Sequence, residues 1–210
     1  MAYGNGPRRS ALRKRKDELR ASVRSRLRQL GSAERQRASE VISCTVLRQP
    51  EWEQAKDVLL YLSMADEVDT EGLIAAATAA GKRVYAPRIE GDQIVFRRIS
   101  EHRRDLARSR FGMMEPLLSA EAWQGWASAD EPGPAMNTKV LVICPCRAID
   151  REGHRLGRGG GYYDRFLAAA PANAVTIALA WRLQLIASVP MKNDDVPVSI
   201  VVTETEVIRP

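Results

Sequence analysis

Three observations predict an α/β fold for this chain: a single domain with a mostly parallel central sheet and helices on both faces, preceded by two N-terminal helices. Short apolar runs alternate with helix-length segments twice along the sequence. The intervening segments are long enough for the crossovers that parallel strands require. A glycine-rich turn then separates a buried-strand pattern from a helical one in the second half.

The elements follow in order. Leu12, Leu19, Val23, Leu27 and Leu30 recur at helical spacing among arginines, so residues 12–30 form an amphipathic helix that Gly31 ends. Ser32 is placed to cap a second helix running to about Leu47, with Ala33, Glu34 and Arg35 in its first turn. Residues 56–62 read as a buried strand, 70–80 as an Ala-rich helix closed by Gly81, and 82–87 as the next strand. The same grammar returns with strand 140–144, helix 162–170 and strand 175–180, and a last strand spans 198–203. Between the halves, 127–137 holds Pro132, Gly133 and Pro134 without periodicity and reads as a surface loop, since neither half has strands enough for its own sheet. Residues 1–10 are expected to form a flexible lead and 11–210 the domain.

Composition agrees. Of the 210 residues, 45% are hydrophobic and 28% charged, a balance that suits a folded domain rather than a disordered one. A chain of this size buries roughly 70% of its unfolded surface and needs no staples. Its three cysteines form an odd set without metal-ligand spacing, and Cys144 and Cys146 around Pro145 read as small apolar residues ending a strand. No apolar run approaches transmembrane length. The net charge of +6 is concentrated at the start, where Arg8, Arg9, Arg13, Lys14, Arg15 and Lys16 precede any acidic residue. Solvated helix surface, a phosphate-facing subset and a short organellar presequence all fit that run. A cytoplasmic location is expected, with a mitochondrial one as the alternative. Nucleic acid is not an expected partner, because aromatic residues are not interleaved with the basic ones; a monomer is expected.

The stretch from Asp150 through Gly153, Arg155, Leu156, Gly157, Arg158, Gly159, Gly160 and Gly161 to Tyr162, Tyr163 and Asp164 carries the most chemistry. Its glycines allow the backbone to approach a ligand closely, and Arg155 and Arg158 supply donors suited to phosphate oxygens. It reads as a phosphate cradle. It is not a P-loop, lacking Gly-Lys-Ser/Thr, nor the first turn of a dinucleotide fold, which lies near the start of a domain. Glu67 and Met64 stand at the carboxyl end of the first predicted strand, where open α/β sheets bind ligands. A role for Glu67 in solvent or as a cap remains open beside that, as does helix capping by Asp69 or Thr70. In the loop Lys192-Asn193-Asp194-Asp195 the carboxylates, with Asp164, can hold Mg²⁺; an Asp-rich turn is the alternative. His102 and His154 lie in polar surroundings and are given no catalytic role.

On these residues the sequence resembles the 5-formyltetrahydrofolate cyclo-ligase family. Asp150 and the run from Gly153 to Asp164 match its long Gly-x-Arg-Leu-Gly-x-Gly-x-Gly-Tyr-Tyr-Asp motif, which is highly specific. Lys16-Asp17-Glu18-Leu19-Arg20 resembles the family's N-terminal Lys-x-x-Leu-Arg, Leu62-Ser63-Met64-Ala65-Asp66-Glu67 its folate-binding segment, and Phe111-Gly112-Met113-Met114-Glu115-Pro116 its Phe-Gly-x-x-Glu-Pro. The resemblance spans residues 16 to about 204. Three departures stand out: Cys146 and Arg147 replace a Gly and an apolar residue, Ile149 replaces an aromatic one, and Asp194 stands where many members have His or Asn.

The resemblance implies ATP-dependent conversion of 5-formyltetrahydrofolate to 5,10-methenyltetrahydrofolate, with ATP and Mg²⁺ as cofactors and a folate as the small-molecule partner. It implies catalytic roles for Arg158, Arg155 and Lys16. ATP contacts are implied for Lys16, Asp17, Glu18, Leu19 and Arg20, and for Arg155, Leu156, Gly157, Arg158, Gly159, Gly160, Gly161, Tyr162 and Tyr163. Leu62, Met64, Glu67, Arg158 and Tyr162 are implied folate contacts, and Asp164 and Asp195 metal ligands. The rivals are a divergent homologue acting on another formamide or carboxylate, and a phosphate- or nucleic-acid-binding module built on the basic helix.

Overall fold

The computed structural model describes residues 7–99, 104–109, 112–125, 139–171 and 174–210, with side chains from residue 11 onward. The predicted loop at 127–137, His102, Phe111 and residues 1–6 of the expected flexible lead lie outside the described residues.

Seven strands form one sheet in the order β11-β10-β9-β6-β1-β2-β3. Its centre is β1 (Asp57–Leu60), flanked by β6 (Val140–Pro145) and β2 (Arg83–Glu90), both parallel to it. β9 (Val175–Leu179) and β10 (Ile200–Val202) continue the parallel set beyond β6. Antiparallel strands close both edges: β3 (Gln93–Ile99) pairs with β2 and β11 (Val207–Ile208) with β10. Two short ribbons lie outside this sheet, β4 (Leu106–Arg108) with β5 (Met114–Pro116) and β7 (Ala148–Ile149) with β8 (Arg155–Leu156).

The alternation of side chains along each strand divides the core in two. Val58, Leu60, Leu141, Ile143, Ile177, Leu179, Ile200 and Val202 face a cluster completed by helices α1 (Pro7–Leu27), α2 (Ser32–Leu47), α3 (Pro50–Gln54) and α4 (Glu71–Ala79). Those helices contribute Val23 and Leu27, Ile42 and Val46, Trp52, and Leu73 with Ala77. Leu59, Val142, Ala178 and Val201 face the other cluster, which α5 (Tyr162–Ala168) covers with Phe166 and Leu167. Helices therefore occupy both faces, as expected.

The differences from the sequence expectation are local. The first helix begins at Pro7, a residue suited to a first helical turn, so residues 7–10 of the expected lead are helical. Ser32 is the first residue of α2 and not its cap; extended Gly31 holds the cap position without a side-chain bond. Strand β2 runs past Pro87 to Glu90 and turns back as β3, a hairpin that Pro87 concealed. Proline is tolerated there because β1 pairs with β2 only as far as Tyr85, leaving one side of the strand without a neighbour.

Because the chain leaves β1 toward β2 and later returns to place β6 on its other side, the crevice at the carboxyl ends of β1 and β6 is a topological switch point. Open α/β sheets bind ligands at this place. Among the described residues no helix is long and apolar enough to cross a membrane.

Candidate active site

A cleft of about 1240 Å³ opens at that switch point. Its floor is made by Tyr61, Leu62, Met64 and Glu67 after β1, and by Pro145, Cys146 and Arg147 at the end of β6. Burial pushes the thiols of Cys144 and Cys146 up to about 12, so both are inert packing residues at the strand end.

The glycine turn forms one wall. It leaves β8 at Leu156 and enters α5 through Gly161. Gly159 has φ +111°, a conformation that side-chain-bearing residues rarely adopt, and a Cβ on it would stand 3.5 Å from the guanidinium carbon of Arg20. Helix α1 grips this turn: Arg20 Nε donates to the Gly157 carbonyl at 2.9 Å, while its Nη1 pairs with Asp17 at 2.6 Å. Arg155 is 4% exposed and donates from Nη2 to Asp164 Oδ1 at 2.8 Å, with Tyr163 stacked 5.5 Å from its guanidinium. Its buried Nε has no partner among the described residues.

Lys16 reaches from α1 across the cleft to Asp195, and each side chain is 8% exposed. Asp195 Oδ2 also accepts the backbone N–H of Lys192 at 2.7 Å. Burial works against ionisation of Asp195, but the hydrogen bonds from Lys16 and the Lys192 backbone outweigh it and hold its carboxyl below the usual range.

Arg158, flanked by Gly157 and Gly159, turns toward the floor. Its Nε donates to Glu67 Oε1 at 3.0 Å and its Nη2 to Asp66 Oδ1 at 2.7 Å. Glu67 Oε2 accepts the Met64 N–H at 3.1 Å, so this carboxylate also shapes its own turn. Thr70 holds the N-cap position of α4 without a side-chain cap bond, its hydroxyl donating instead to the Tyr61 carbonyl, and the preceding Asp69 accepts the Glu71 N–H on Oδ1 at 3.0 Å. Burial opposes ionisation of Asp66 too, yet its bond and charge contact with Arg147, joined by Arg158, hold it below the usual range.

Behind the cradle, Asp150 is 2% exposed and accepts the backbone N–H groups of Glu152, His154 and Val189. Its Oδ2 also contacts His154 Nδ1 at 3.1 Å. This one carboxylate braces the turn before β8 and anchors the loop that carries Lys192 to Asp195.

Most of the residues singled out from sequence line this single cleft: Lys16, Asp17 and Arg20; Leu62, Met64 and Glu67; the whole run from Arg155 to Asp164; and Asp195. Glu18 and Leu19 do not. Glu18 points to solvent in an ion pair with Lys14 at 3.9 Å, and Leu19 packs on the core, as the next positions round a helix from Asp17 must. Asp164 and Asp195 share the cleft but no partner, for each is paired with its own cation. Asp194 lines the cleft and is exposed. His154 is bound to Asp150 and lies outside the lining.

Three contributors had no individual site assignment from the sequence. Arg13 precedes Lys16 by one helical turn and lines the same cleft, a spacing visible in the sequence. An apolar wall of Pro87, Ile89 and Ile94 from the β2–β3 hairpin, with Met113 and Met114 beside it, exists only once those segments pair. Arg147 was noticed as a departure, not as a member of the site.

The 5-formyltetrahydrofolate cyclo-ligase of Mus musculus is 29% identical over 194 residues, covering 89% of this chain and 92% of the mouse protein. That of Escherichia coli K12 is 30% identical over 190 residues, covering 88% of this chain and 98% of its own. The solution structure of Aquifex aeolicus 5,10-methenyltetrahydrofolate synthetase superposes with a TM-score of 0.75 at 31% identity over 92% of both chains. A Mycoplasma pneumoniae 5,10-methenyltetrahydrofolate synthetase shares the fold, with a TM-score of 0.68 at 17% identity. The sequence model of the 5-formyltetrahydrofolate cyclo-ligase family matches residues 12–204, and the chain belongs to that family.

Proposed function

We propose that the switch-point cleft converts 5-formyltetrahydrofolate and ATP to 5,10-methenyltetrahydrofolate, ADP and phosphate. The observation that carries this reading is the division of one cleft into two chemistries. Lys16, Arg155 and Arg158 supply cations beside a glycine turn, while Glu67 lies in the same lining as the apolar Leu62 and Met64 and the hairpin residues Pro87, Ile89 and Ile94. The first half suits a triphosphate; the second suits a flat heterocycle with donor groups on one edge and an aromatic extension.

A formamide is a poor electrophile, so its oxygen must first become a leaving group. The formyl oxygen attacks the γ-phosphorus of ATP and ADP departs. N10 then adds to the activated carbon, the carbon–oxygen bond breaks with release of phosphate, and the N10 proton is lost as the methenyl bridge forms. Lys16, Arg155 and Arg158 offset the charge on the transferring group. Glu67 accepts hydrogen bonds from the pterin edge, with Leu62 and Met64 beneath the ring. Tyr162 also lines this region.

Mg²⁺ fits the donor set. Asp164 and Asp195 each commit one oxygen to an ion pair, and Mg²⁺ needs only one or two carboxylates when phosphate oxygens and water complete its shell. No group of three or more metal-binding side chains converges among the described residues, and such a site does not require one. When bound, Mg²⁺ supplies positive charge that screens triphosphate from these carboxylates.

A monomer in the cytoplasm is the simplest setting, and the free state of all three cysteines suits a reducing compartment. A relative from Arabidopsis thaliana is described as mitochondrial, which keeps that compartment as the second reading. The test is to mix the protein with 5-formyltetrahydrofolate and MgATP and follow the methenyl chromophore together with ADP. Stoichiometric appearance of both is expected; nucleotide turnover without the chromophore would overturn the folate reading.

A further inference from the structure

We infer that Asp66 and Arg147 form a positioning device for Arg158: a fixed cation at the sheet holds the carboxylate that aims the cradle arginine. The inference rests on the reading of Arg158 as a group that touches the transferring phosphoryl.

Arg158 is the cradle residue most in need of restraint. It sits between two glycines, its side chain is 42% exposed, and its backbone belongs to a turn rather than to a helix or strand. A guanidinium in that situation retains much rotamer freedom, and catalysis by charge stabilisation depends on its being in place beforehand. Two carboxylates hold it. One of them, Glu67, faces the floor of the cleft, where a bound folate competes for its oxygens. Asp66 does not line the cleft, so its hold on Arg158 is not in competition with the substrate.

Asp66 can serve only if it is itself fixed and ionised, and Arg147 does both. Arg147 Nη1 pairs with Asp66 Oδ2 at 2.5 Å and also donates to the Asp66 carbonyl at 3.2 Å. The other carboxylate oxygen, Oδ1, is thereby left to Arg158 at 2.7 Å. Arg147 in turn is rigid. Its side chain is 9% exposed, its N–H donates to the Leu156 carbonyl at 2.6 Å, and its own carbonyl accepts Gln184 Nε2 at 3.3 Å. The chain of contacts thus runs from the end of β6, through the loop after β1, to the glycine turn after β8, and stitches the two sides of the switch point together. Charge is balanced along it, with Arg147 and Arg158 against Asp66 and Glu67. Without Arg147, Asp66 would be a half-exposed carboxylate holding a half-exposed arginine, an arrangement that orients little. An apolar residue at 147 therefore loses the aim of Arg158 and not merely a surface contact.

The test combines turnover with a double-mutant cycle and a direct view of Arg158. Asp66→Asn and Arg147→Gln should each lower kcat about 10-fold while changing the KM for 5-formyltetrahydrofolate by less than about 2-fold. In an Arg158→Ala background, Asp66→Asn should change kcat by less than about 2-fold, because a positioning residue has nothing left to position. In ¹⁵N spectra the Arg158 Nε–H should be restrained in the wild type and motionally averaged in Asp66→Asn. Losses that multiply across the cycle would overturn the inference, as would an Asp66→Asn effect confined to KM. Absence of methenyl product from the wild-type protein counts against the functional reading alone. In that event an Arg158 Nε–H already averaged in the wild type overturns the positioning role, and a restrained one that Asp66→Asn releases supports it.

Discussion

Replacing Asp150 with Ala removes the carboxylate that three backbone N–H groups share. The Val189 N–H is buried, so its loss of a partner costs about 2 kcal/mol; those of Glu152 and His154 are partly exposed and cost about 1 kcal/mol each. The sum, about 4 kcal/mol, is a large share of the stability of an ordinary domain. For a chain of this size each kcal/mol moves Tm by about 2–4 °C, so a drop of roughly 8–16 °C is expected in a thermal melt followed by circular dichroism. Asp150→Asn keeps one acceptor oxygen but turns an NH₂ toward donors, and should fall between the two proteins. Because Val189 leads into the loop that holds Asp195 against Lys16, Asp150→Ala should also raise the KM for ATP. A Tm within about 2 °C of wild type would show that water replaces the carboxylate at little cost, and the bracing argument would fail.

Arg158→Ala should reduce kcat by about 10²-fold, with a smaller change in folate binding by calorimetry, if the guanidinium acts in the transition state. Glu67→Gln should raise the folate KM about 10-fold while stability stays within about 0.5 kcal/mol, since its amide oxygen can still accept the Met64 N–H; a lowered Tm with unchanged KM would leave Glu67 only its turn-shaping role. Lys16→Met strips the buried partner from Asp195 and should cost about 3 kcal/mol near neutrality. The folded carboxyl of Asp195 lies below its unfolded value, so its contribution is complete above about pH 4 and is lost as pH falls through the lower folded value. The stability gap between wild type and Lys16→Met in urea titrations should therefore close with acid, and an equal gap at about pH 3 and pH 7 would refute the coupling. Iodoacetamide at mildly alkaline pH should modify exposed Cys44 alone in the native protein, and all three cysteines after denaturation, because burial keeps Cys144 and Cys146 protonated.

The sequence by itself determined the parallel core, the helices that cover it and the glycine turn. These are written in local signals: short, nearly continuous apolar runs in β1, β6, β9 and β10, helical spacing in α1, an Ala-rich run closed by Gly81 for α4, and a run of glycines with arginines after a buried strand. The long motif from Gly153 to Asp164 and its companions also determined the family. Local signals say how a segment folds but not which distant segment meets it. The β2–β3 hairpin was hidden because Pro87 marks a strand end unless one side of that strand is known to be unpaired, and with it went the apolar wall of the cleft. Glu18 and Leu19 share a motif with Lys16 and Arg20, yet only the docking of α1 on the sheet decided which of its faces meets the cleft. The bonds that set the site's charges join residues far apart in the chain: Lys16 to Asp195 across 179 positions, Asp66 to Arg147 across 81, and Asp150 to Val189 across 39. No periodicity encodes such pairs, because each forms only where the order of strands in the sheet and the docking of α1 on it bring two distant segments together.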